Sequence, residues 1–245
     1  MRQWLVCLAL LLGACTQIHK GPLLFEDALG TRTCRDDETT WPDVFPRHAF
    51  SFELGSNFAI QFMDERSQLL EHCWSSGIAR KMQEDSLLPA PPDLEAYRFT
   101  WVRSFDDYVV IRVEHRGPVY SLHVKVRALY SADWLANPHI VLTPGHGIGD
   151  WLTDRRILLT PSQWQELRRR LEQARFWLDN RYRTEPEVIA YMDGATWMLE
   201  GVRGGSYHML YVHSPHAEGP AVAFRAACLY LVELSGLSIP EDQVY

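Results

Sequence analysis

The sequence predicts an α+β fold in which an antiparallel β-meander and a β-hairpin pack against two helices. Three observations support this prediction: strand-like runs with short links in the middle of the chain, a double-glycine turn near its end, and clear start or stop signals for two helices. With 245 residues, of which 47% are hydrophobic, the chain is long enough to bury a full core. We therefore expect residues 47–245 to form a single domain.

The N-terminus has the layout of a bacterial export signal. Arg2 precedes a short apolar run at residues 4–12, which is well below the roughly 20 residues that a transmembrane helix needs. The segment Leu12-Gly13-Ala14-Cys15 resembles the bacterial lipobox. This resemblance implies cleavage of a signal peptide, residues 1–14, and attachment of diacylglycerol to Cys15. The alternative is an ordinary secretory signal with a chance cysteine.

The residues after the cysteine indicate a position in the bacterial cell envelope. Thr16 stands where, by the same resemblance, an aspartate would retain a lipoprotein in the inner membrane of a Gram-negative cell. We therefore expect a lipid anchor in the outer membrane, facing the periplasm. Residues 15–46 are rich in Asp, Thr and Pro, and they are predicted to form the lipidated N-terminus and a tether for the domain.

Export would place the remaining cysteines in an oxidising compartment, where thiols tend to pair. Cys228 lies in the very apolar stretch 221–234 and is expected to be a buried thiol. Cys34 and Cys73 have more polar neighbours, and a disulfide between them is predicted. A metal site is the alternative, but the cysteines lack the spacing of zinc ligands. We expect neither a metal nor a cofactor.

The domain is predicted to begin with a strand and an interrupted helix. Residues 48–62 show a partial alternation of apolar side chains, which indicates a strand, and residues 65–84 have helical spacing. The small residues Ser75-Ser76-Gly77 are expected to interrupt that helix. A proline-rich stretch, residues 89–92, excludes regular structure after it.

Strand-like runs in the middle of the chain predict the meander. They cover residues 97–103, 108–114 and 119–127, with a short fourth run at 156–159, and the links between the first three are short and rich in turn residues. In the third run apolar residues alternate with Ser121, His123, Lys125 and Arg127. One face of the sheet is therefore expected to face the core and the other to face solvent.

Local signals predict the hairpin and the two helices that cover one face of the sheet. Thr160-Pro161-Ser162-Gln163 has the pattern of a capping box, and the helix that follows carries an apolar stripe. Strands at 195–202 and 206–212 flank the turn Arg203-Gly204-Gly205. The last helix is apolar nearly all round and ends at Gly236.

Two sets of residues are candidates for catalysis. Residues 129–153 form a long irregular stretch in which His146 stands among glycines close to Asp150, as in a mobile active-site loop. The second set is His208 with Glu200. The sequence has no G-x-S-x-G nucleophile elbow and no lysine after the glycines of the loop, so a plain glycine turn explains the His146 loop equally well.

The distribution of charge favours a protein partner over a nucleic acid. The net charge is -7, whereas a nucleic-acid-binding protein needs a basic surface. The polar face of the meander carries mostly basic side chains, which form a candidate docking surface for an acidic partner; contact with water alone is the alternative. These residues are Arg98, Arg112, Glu114, His123, Lys125 and Arg127.

Two segments carry a resemblance to a known family. They are Tyr97 to Phe105, YRFTWVRSF, and Asp193 to Pro215, DGATWMLEGVRGGSYHMLYVHSP. They resemble a family of uncharacterised bacterial lipoproteins and secreted proteins, whose pattern includes a DG-x-x-W-x-LEG hairpin and a serine-proline turn. The similarity covers about residues 66–237 and departs from the pattern at Val212-His213, where a basic or tryptophan-bearing pair is expected. The resemblance implies a fold and no activity.

Three hypotheses about function follow from these observations. The first is a lipid-anchored envelope protein that binds a periplasmic protein partner, including as an inhibitor or as immunity against an exported toxin. The second is an envelope hydrolase that uses the His146 loop with Asp150, or His208 with Glu200. The third is a structural envelope component. The export signal, the charged sheet face and the lack of a catalytic motif favour the first.

Overall fold

The computed structural model describes residues 23–26, 32–36, 39–40, 43–46, 49, 65–129, 149–178 and 194–245, with the backbone alone for residues 23–40, 65–68 and 70. In chain order its elements are β1 (Leu23–Glu26), β2 (Arg32–Asp36), β3 (Thr39–Thr40), α1 (Glu65–Lys81), β4 (Leu94–Arg103), β5 (Tyr108–Arg116), β6 (Val119–Arg127), β7 (Trp151–Leu158), α2 (Pro161–Gln173), β8 (Ala195–Arg203), β9 (Ser206–His213), α3 (Val222–Ser235) and a 3-10 helix, Glu241–Gln243. The first three strands form a small sheet, and the other six form a larger one in the order β7-β6-β5-β4-β8-β9.

The predicted α+β fold is confirmed. β4 to β7 form an antiparallel meander, and β8 pairs with the free side of β4, so that β4 lies at the centre of the sheet. The β8–β9 hairpin closes through Gly204 and Gly205, whose φ angles are 57° and 78°. Two successive left-handed residues are what a type I′ turn requires, and glycine adopts them without steric cost.

One face of the large sheet, the inner face, packs against α2 and α3. Its centre is aromatic, with Phe99, Trp101 and Trp197 fully buried and their rings in mutual contact. The predicted capping box is present at the start of α2: the Thr160 hydroxyl accepts from the Gln163 backbone N–H, and the Gln163 side chain accepts from the Thr160 N–H. The cap and the buried stripe fix α2 across the sheet.

The opposite face of the sheet, the charged face, is also covered, and the prediction of a solvent-facing surface is wrong for most of it. α1 lies over this face, where Ile78, Ala79 and Met82 join one apolar cluster with Val110 and Met198. The described part of the domain therefore has three layers, because α1 packs on the face opposite the two helices that the sequence predicts to cover the sheet. The sequence pattern of a single strand shows that a face is polar but not what packs on it.

The predicted interruption of α1 is wrong as well. The helix runs from Glu65 to Lys81 without a break through Ser75, Ser76 and Gly77. All three residues are buried. Small side chains bring the helix backbone close to its surroundings at this position, and tertiary packing outweighs their weak helix propensity.

Some residues of the predicted tether, 15–46, pack with the domain or form strands. Val44 and Phe45 are buried in the cluster beneath α1, and β1 to β3 lie within the predicted tether. The strand predicted at residues 48–62 lies outside the described residues except for Ala49, which is in a 3-10 turn. In the described part of the chain no helix is long and apolar enough to cross a membrane.

Candidate functional site

The charged face holds a cluster of ion pairs at the C-terminal end of α1. Arg98 is completely buried, with 0% of its surface exposed, and its guanidinium lies between two carboxylates. Nε donates to Glu200 Oε1 at 2.5 Å and Nη1 to Glu84 Oε2 at 3.1 Å. A buried cation requires such partners because desolvation of an unpaired charge is very costly. We call Glu84, Arg98, Arg112, Lys125 and Glu200 the buried ion cluster.

Glu84 is the centre of this cluster because three cations contact it. Arg112 Nη1 lies 3.2 Å from Glu84 Oε2, and Lys125 Nζ lies 2.7 Å from Oε1, in addition to the contact with Arg98. Burial raises the pKa of Glu84, but the charges of Arg98 and Arg112 and the hydrogen bond from Lys125 outweigh it, so that its pKa is lowered. Glu84 is therefore held as a carboxylate.

The same cations bind the backbone at the end of α1. The last carbonyl groups of a helix have no partner within the helix and carry partial negative charge. Sheet cations bind the last carbonyl of α1 and the carbonyls of the segment that follows it. Arg127 donates to Lys81 O (2.7 Å), Lys125 Nζ to Met82 O (3.0 Å) and Gln83 O (2.7 Å), and Arg98 to Asp85 O (2.6 Å). The basic residues of the meander thus recognise the end of a helix of their own chain.

This arrangement corrects the predicted docking surface of Arg98, Arg112, Glu114, His123, Lys125 and Arg127. Arg98 and Lys125 are buried, and a side chain buried within its own domain cannot contact a partner. Arg112 and Arg127 are half-buried and already bind Glu84 and Lys81 O. Glu114 and His123 are also partly buried, with 33% and 13% of their side chains exposed, and each is in an ion pair.

The charged face has a second region, which α1 does not cover, at the β5–β6 turn and the end of β7. Leu158 is 78% exposed and lies opposite Ser121, and Val119 is 49% exposed and lies opposite the exposed Arg116. Arg156 is exposed and lies opposite His123. We call Arg116, Val119, Arg156 and Leu158 the open corner. Two exposed apolar side chains on one face, with polar residues around them, make the open corner a candidate interaction site.

The carboxylates next to the open corner are paired. Glu114 Oε1 lies 3.1 Å from Arg112 Nε, and Asp154 Oδ1 lies 2.6 Å from His123 Nε2. Arg116 and Arg156 have no carboxylate partner among the residues that the structure describes. The open corner therefore carries a local excess of positive charge on a protein whose net charge is -7.

The structure does not bring the pair His208 and Glu200 together. Glu200 lies on the charged face, where burial raises its pKa even though Arg98 and the Tyr207 hydroxyl favour its ionised form. His208 is opposite Gly201 in the hairpin, and its ring packs on the inner face against Phe176, with the centroids 5.2 Å apart. The sheet separates the two groups, so they cannot act on one substrate as acid and base.

The other catalytic candidate is described only in part. His146 lies outside the described residues, and its role stays a prediction. Asp150 is exposed, and its backbone carbonyl accepts from the N–H of Ala128. β7 begins at Trp151, so the prediction of an irregular stretch up to residue 153 is wrong for its last three residues.

The cysteines agree in part with their predicted roles. Cys228 is free and fully buried, and burial raises the pKa of its thiol. Cys73 is disulfide-bonded. Its predicted partner, Cys34, lies in β2, where the structure describes the backbone alone, and β2 contacts α1. The pairing with Cys34 and the lipidation of Cys15, which lies outside the described residues, stay predictions.

Sequence reasoning missed Glu84, the residue on which the buried ion cluster is centred. A glutamate at the end of a helical pattern is normally a solvated charge, and here only the excess of cations on the neighbouring strands could have indicated its role. Within the described ranges, no group of three or more His, Cys, Asp or Glu side chains is arranged to hold a metal ion. No family model matches this chain, and no curated protein matches it.

Proposed function

We propose that this protein is a lipid-anchored protein of the bacterial cell envelope whose domain binds a periplasmic protein partner through the open corner. One observation carries the proposal: the open corner is a part of the charged face that the described residues leave exposed, with two apolar side chains beside two arginines that have no carboxylate partner among those residues. Apolar contacts with a charged rim are typical of protein interfaces. Inhibition of an exported toxin would be one use of such a surface.

The geometry gives less support to the hydrolase hypothesis. Glu200 is buried between Arg98 and Tyr207, and His208 packs on the other side of the sheet. The remaining enzyme hypothesis depends on His146, with Asp150 nearby in the sequence. Substitution His146→Ala tests it: loss of a cellular phenotype, with an unchanged melting temperature and unchanged partner binding, would favour an enzyme over a binding protein.

The lipid anchor is tested by metabolic labelling with radioactive palmitate. We expect the wild-type protein to incorporate the label and the Cys15→Ser variant to lose it. N-terminal analysis of the mature protein gives an independent readout, because processing at a lipobox leaves residue 15 as a blocked N-terminus. A mature protein that begins elsewhere and carries no label would contradict the anchor.

The binding role is tested with a variant that begins at Thr16 and serves as bait in an envelope extract. We expect it to retain a partner, and we expect the substitution Leu158→Asp to abolish retention. Leu178→Asp is the matched control, because Leu178 is also an exposed leucine, 58% accessible, but lies beyond α2. Retention that survives Leu158→Asp, or that Leu178→Asp weakens equally, would contradict the assignment to the open corner.

A further inference from the structure

β7 is an edge strand whose outer side is open. It is the first strand in the order of the large sheet, and in the described part of the chain no strand lies beyond it. Most of its side chains are exposed, whereas the other edge strand, β9, buries three residues in its centre. An unpaired edge presents backbone N–H and C=O groups that can pair with another chain.

The register identifies which backbone groups face outward. The N–H of Leu159 donates to Tyr120 O at 2.9 Å, so these two residues form a hydrogen-bonded pair between β6 and the end of β7. Hydrogen bonding alternates along an antiparallel ladder. The N–H and C=O groups of Asp154, Arg156 and Leu158 therefore point away from β6, and the side chains of these three residues lie on the charged face.

The side chains near these outward-facing backbone groups determine which residues an added strand would need. Arg156 and Arg116 are exposed cations, while the nearby carboxylates of Glu114 and Asp154 already have basic partners. Leu158 and Val119 supply exposed apolar surface next to them. A strand beside β7 would gain most if its residues on this face alternated between carboxylates and apolar side chains.

We infer that the partner adds an extended acidic segment to β7 as a seventh strand of the large sheet, and this inference rests on the proposed function. The backbone of Asp154, Arg156 and Leu158 binds the segment, Arg156 attracts its carboxylates, and Leu158 contacts its apolar residues. In this mode of recognition the main chain supplies affinity, and alternate side chains supply specificity. The length of β7, eight residues, accommodates a whole added strand.

The inference is tested with synthetic peptides as probes and the variant that begins at Thr16. The acidic probe has the repeat Glu-Thr-Leu-Thr, which places glutamate and leucine on one face, and the basic probe has lysine in place of glutamate. We expect fluorescence anisotropy to give a Kd for the acidic probe at least tenfold below that for the basic probe. Arg156→Glu should reverse this preference, and Arg175→Glu, at an exposed arginine beyond α2, should leave it unchanged.

Two further measurements separate strand addition from simple charge attraction. The acidic probe can be N-methylated in two registers, on its odd-numbered or on its even-numbered residues. In one of these registers the methyl groups remove the hydrogen bonds to β7, and the Kd of that probe should rise at least tenfold. Equal binding of the acidic and basic probes, or no effect of N-methylation in either register, would overturn the inference. A dimer in sedimentation experiments that Leu158→Asp dissociates would also overturn it, because a second copy of the chain would then occupy the edge.

The outcomes for the inference and for the proposed function are distinct. If the envelope extract yields a partner whose retention depends on Leu158 but the acidic probe does not bind, the inference is wrong and the binding function stands. If the extract yields no partner, the proposed function fails. Binding of the acidic probe that N-methylation and Arg156→Glu both abolish would support strand addition in either case.

Discussion

The buried ion cluster and the open corner lie on the same face of the same sheet and use the same basic residue type, but their surroundings differ. In the cluster, the segment that follows α1 supplies Glu84 and a row of backbone carbonyls, so each cation has a partner. At the open corner, the arginines remain exposed and the carboxylates nearby are already paired. The cations of a strand face therefore bind carboxylates and carbonyls. The packing of the rest of the chain determines whether these groups come from the same protein or from a partner.

The largest difference between the two regions should appear when an arginine is removed. Arg98→Ala leaves Glu84 and Glu200 facing each other without the cation that separates them. We expect a loss of about 3–5 kcal/mol in the free energy of unfolding, the usual cost of breaking a buried ion pair. Arg156→Ala at the open corner should change it by less than about 0.5 kcal/mol.

Urea unfolding monitored by tryptophan fluorescence measures both variants under the same conditions. A double variant, Arg98→Met with Glu200→Leu, should recover part of the loss, because it removes the desolvated charges on both sides of one pair. Similar effects of Arg98→Ala and Arg156→Ala would mean that the cluster is not the structural centre that its burial indicates.

The second expected effect concerns the disulfide of Cys73, which attaches α1 to the rest of the chain in addition to the contacts near its C-terminal end. We expect Cys34→Ser to lower the free energy of unfolding by about 2–4 kcal/mol, the typical contribution of a native disulfide. In the unfolded variant that begins at Thr16, thiol titration should then detect Cys73 in addition to Cys228. An unchanged number of reactive thiols would show that Cys34 is not the partner of Cys73.

The third expected effect is a pH dependence of the free energy of unfolding that arises from Glu84. Because its pKa is lower in the folded protein than its ordinary value of 4.5, its ionised form stabilises the fold above that pH, and this contribution is lost as the pH falls through the folded pKa. We expect Glu84→Gln to cost about 2–3 kcal/mol at pH 7. The difference between the wild type and the variant should shrink below about pH 4.5.

Glu200, in the same cluster, is expected to have the opposite effect on how stability depends on pH. Burial raises the pKa of Glu200 above its ordinary value of 4.5, so its contribution to stability is fully present below that value and falls as the pH rises through the folded pKa. Glu200→Gln should therefore be less costly at pH 7 than Glu84→Gln. A larger cost for Glu200→Gln at pH 7 would contradict the assignment of Glu84 as the ionised centre of the cluster.

Much of the fold could be predicted because it depends on local signals. The three meander strands, the Gly204-Gly205 turn and the capping box at Thr160 are each encoded within a few residues. The separation of His208 from Glu200 was also within reach, because a two-residue turn between the strands fixes which residues lie opposite each other and on which face.

The position of α1 could not be predicted in the same way. The contact between Glu84 and Arg112 joins residues 28 positions apart, and the contact between Lys125 and Met82 joins residues 43 positions apart. No local pattern specifies which helix covers which face, so the alternation within the strands predicts only that the charged face meets solvent. The open corner is equally unpredictable from local patterns, because its exposure depends on which part of the charged face α1 and the segment after it cover.

The fourth effect compares carboxylates in the two regions. Asp154→Asn at the margin of the open corner is the counterpart of Glu84→Gln, since both replace a carboxylate by its amide. Asp154 is 46% exposed in its pair with His123, and exposed pairs contribute little. We expect a loss of at most about 1 kcal/mol, which added salt should reduce further. A loss as large as that of Glu84→Gln would mean that β7 depends on this pair for its attachment to β6.

The smallest effect on stability is expected at the residue with the largest effect on binding. Leu158→Ser removes an apolar side chain that is 78% exposed, so the free energy of unfolding should change by less than about 0.5 kcal/mol. Retention of the partner should nevertheless fall strongly, because an exposed leucine beside an open edge contributes only when another molecule covers it. If Leu158→Ser destabilised the fold as well, the corner would already be covered within the protein, and the contrast between the two regions would disappear.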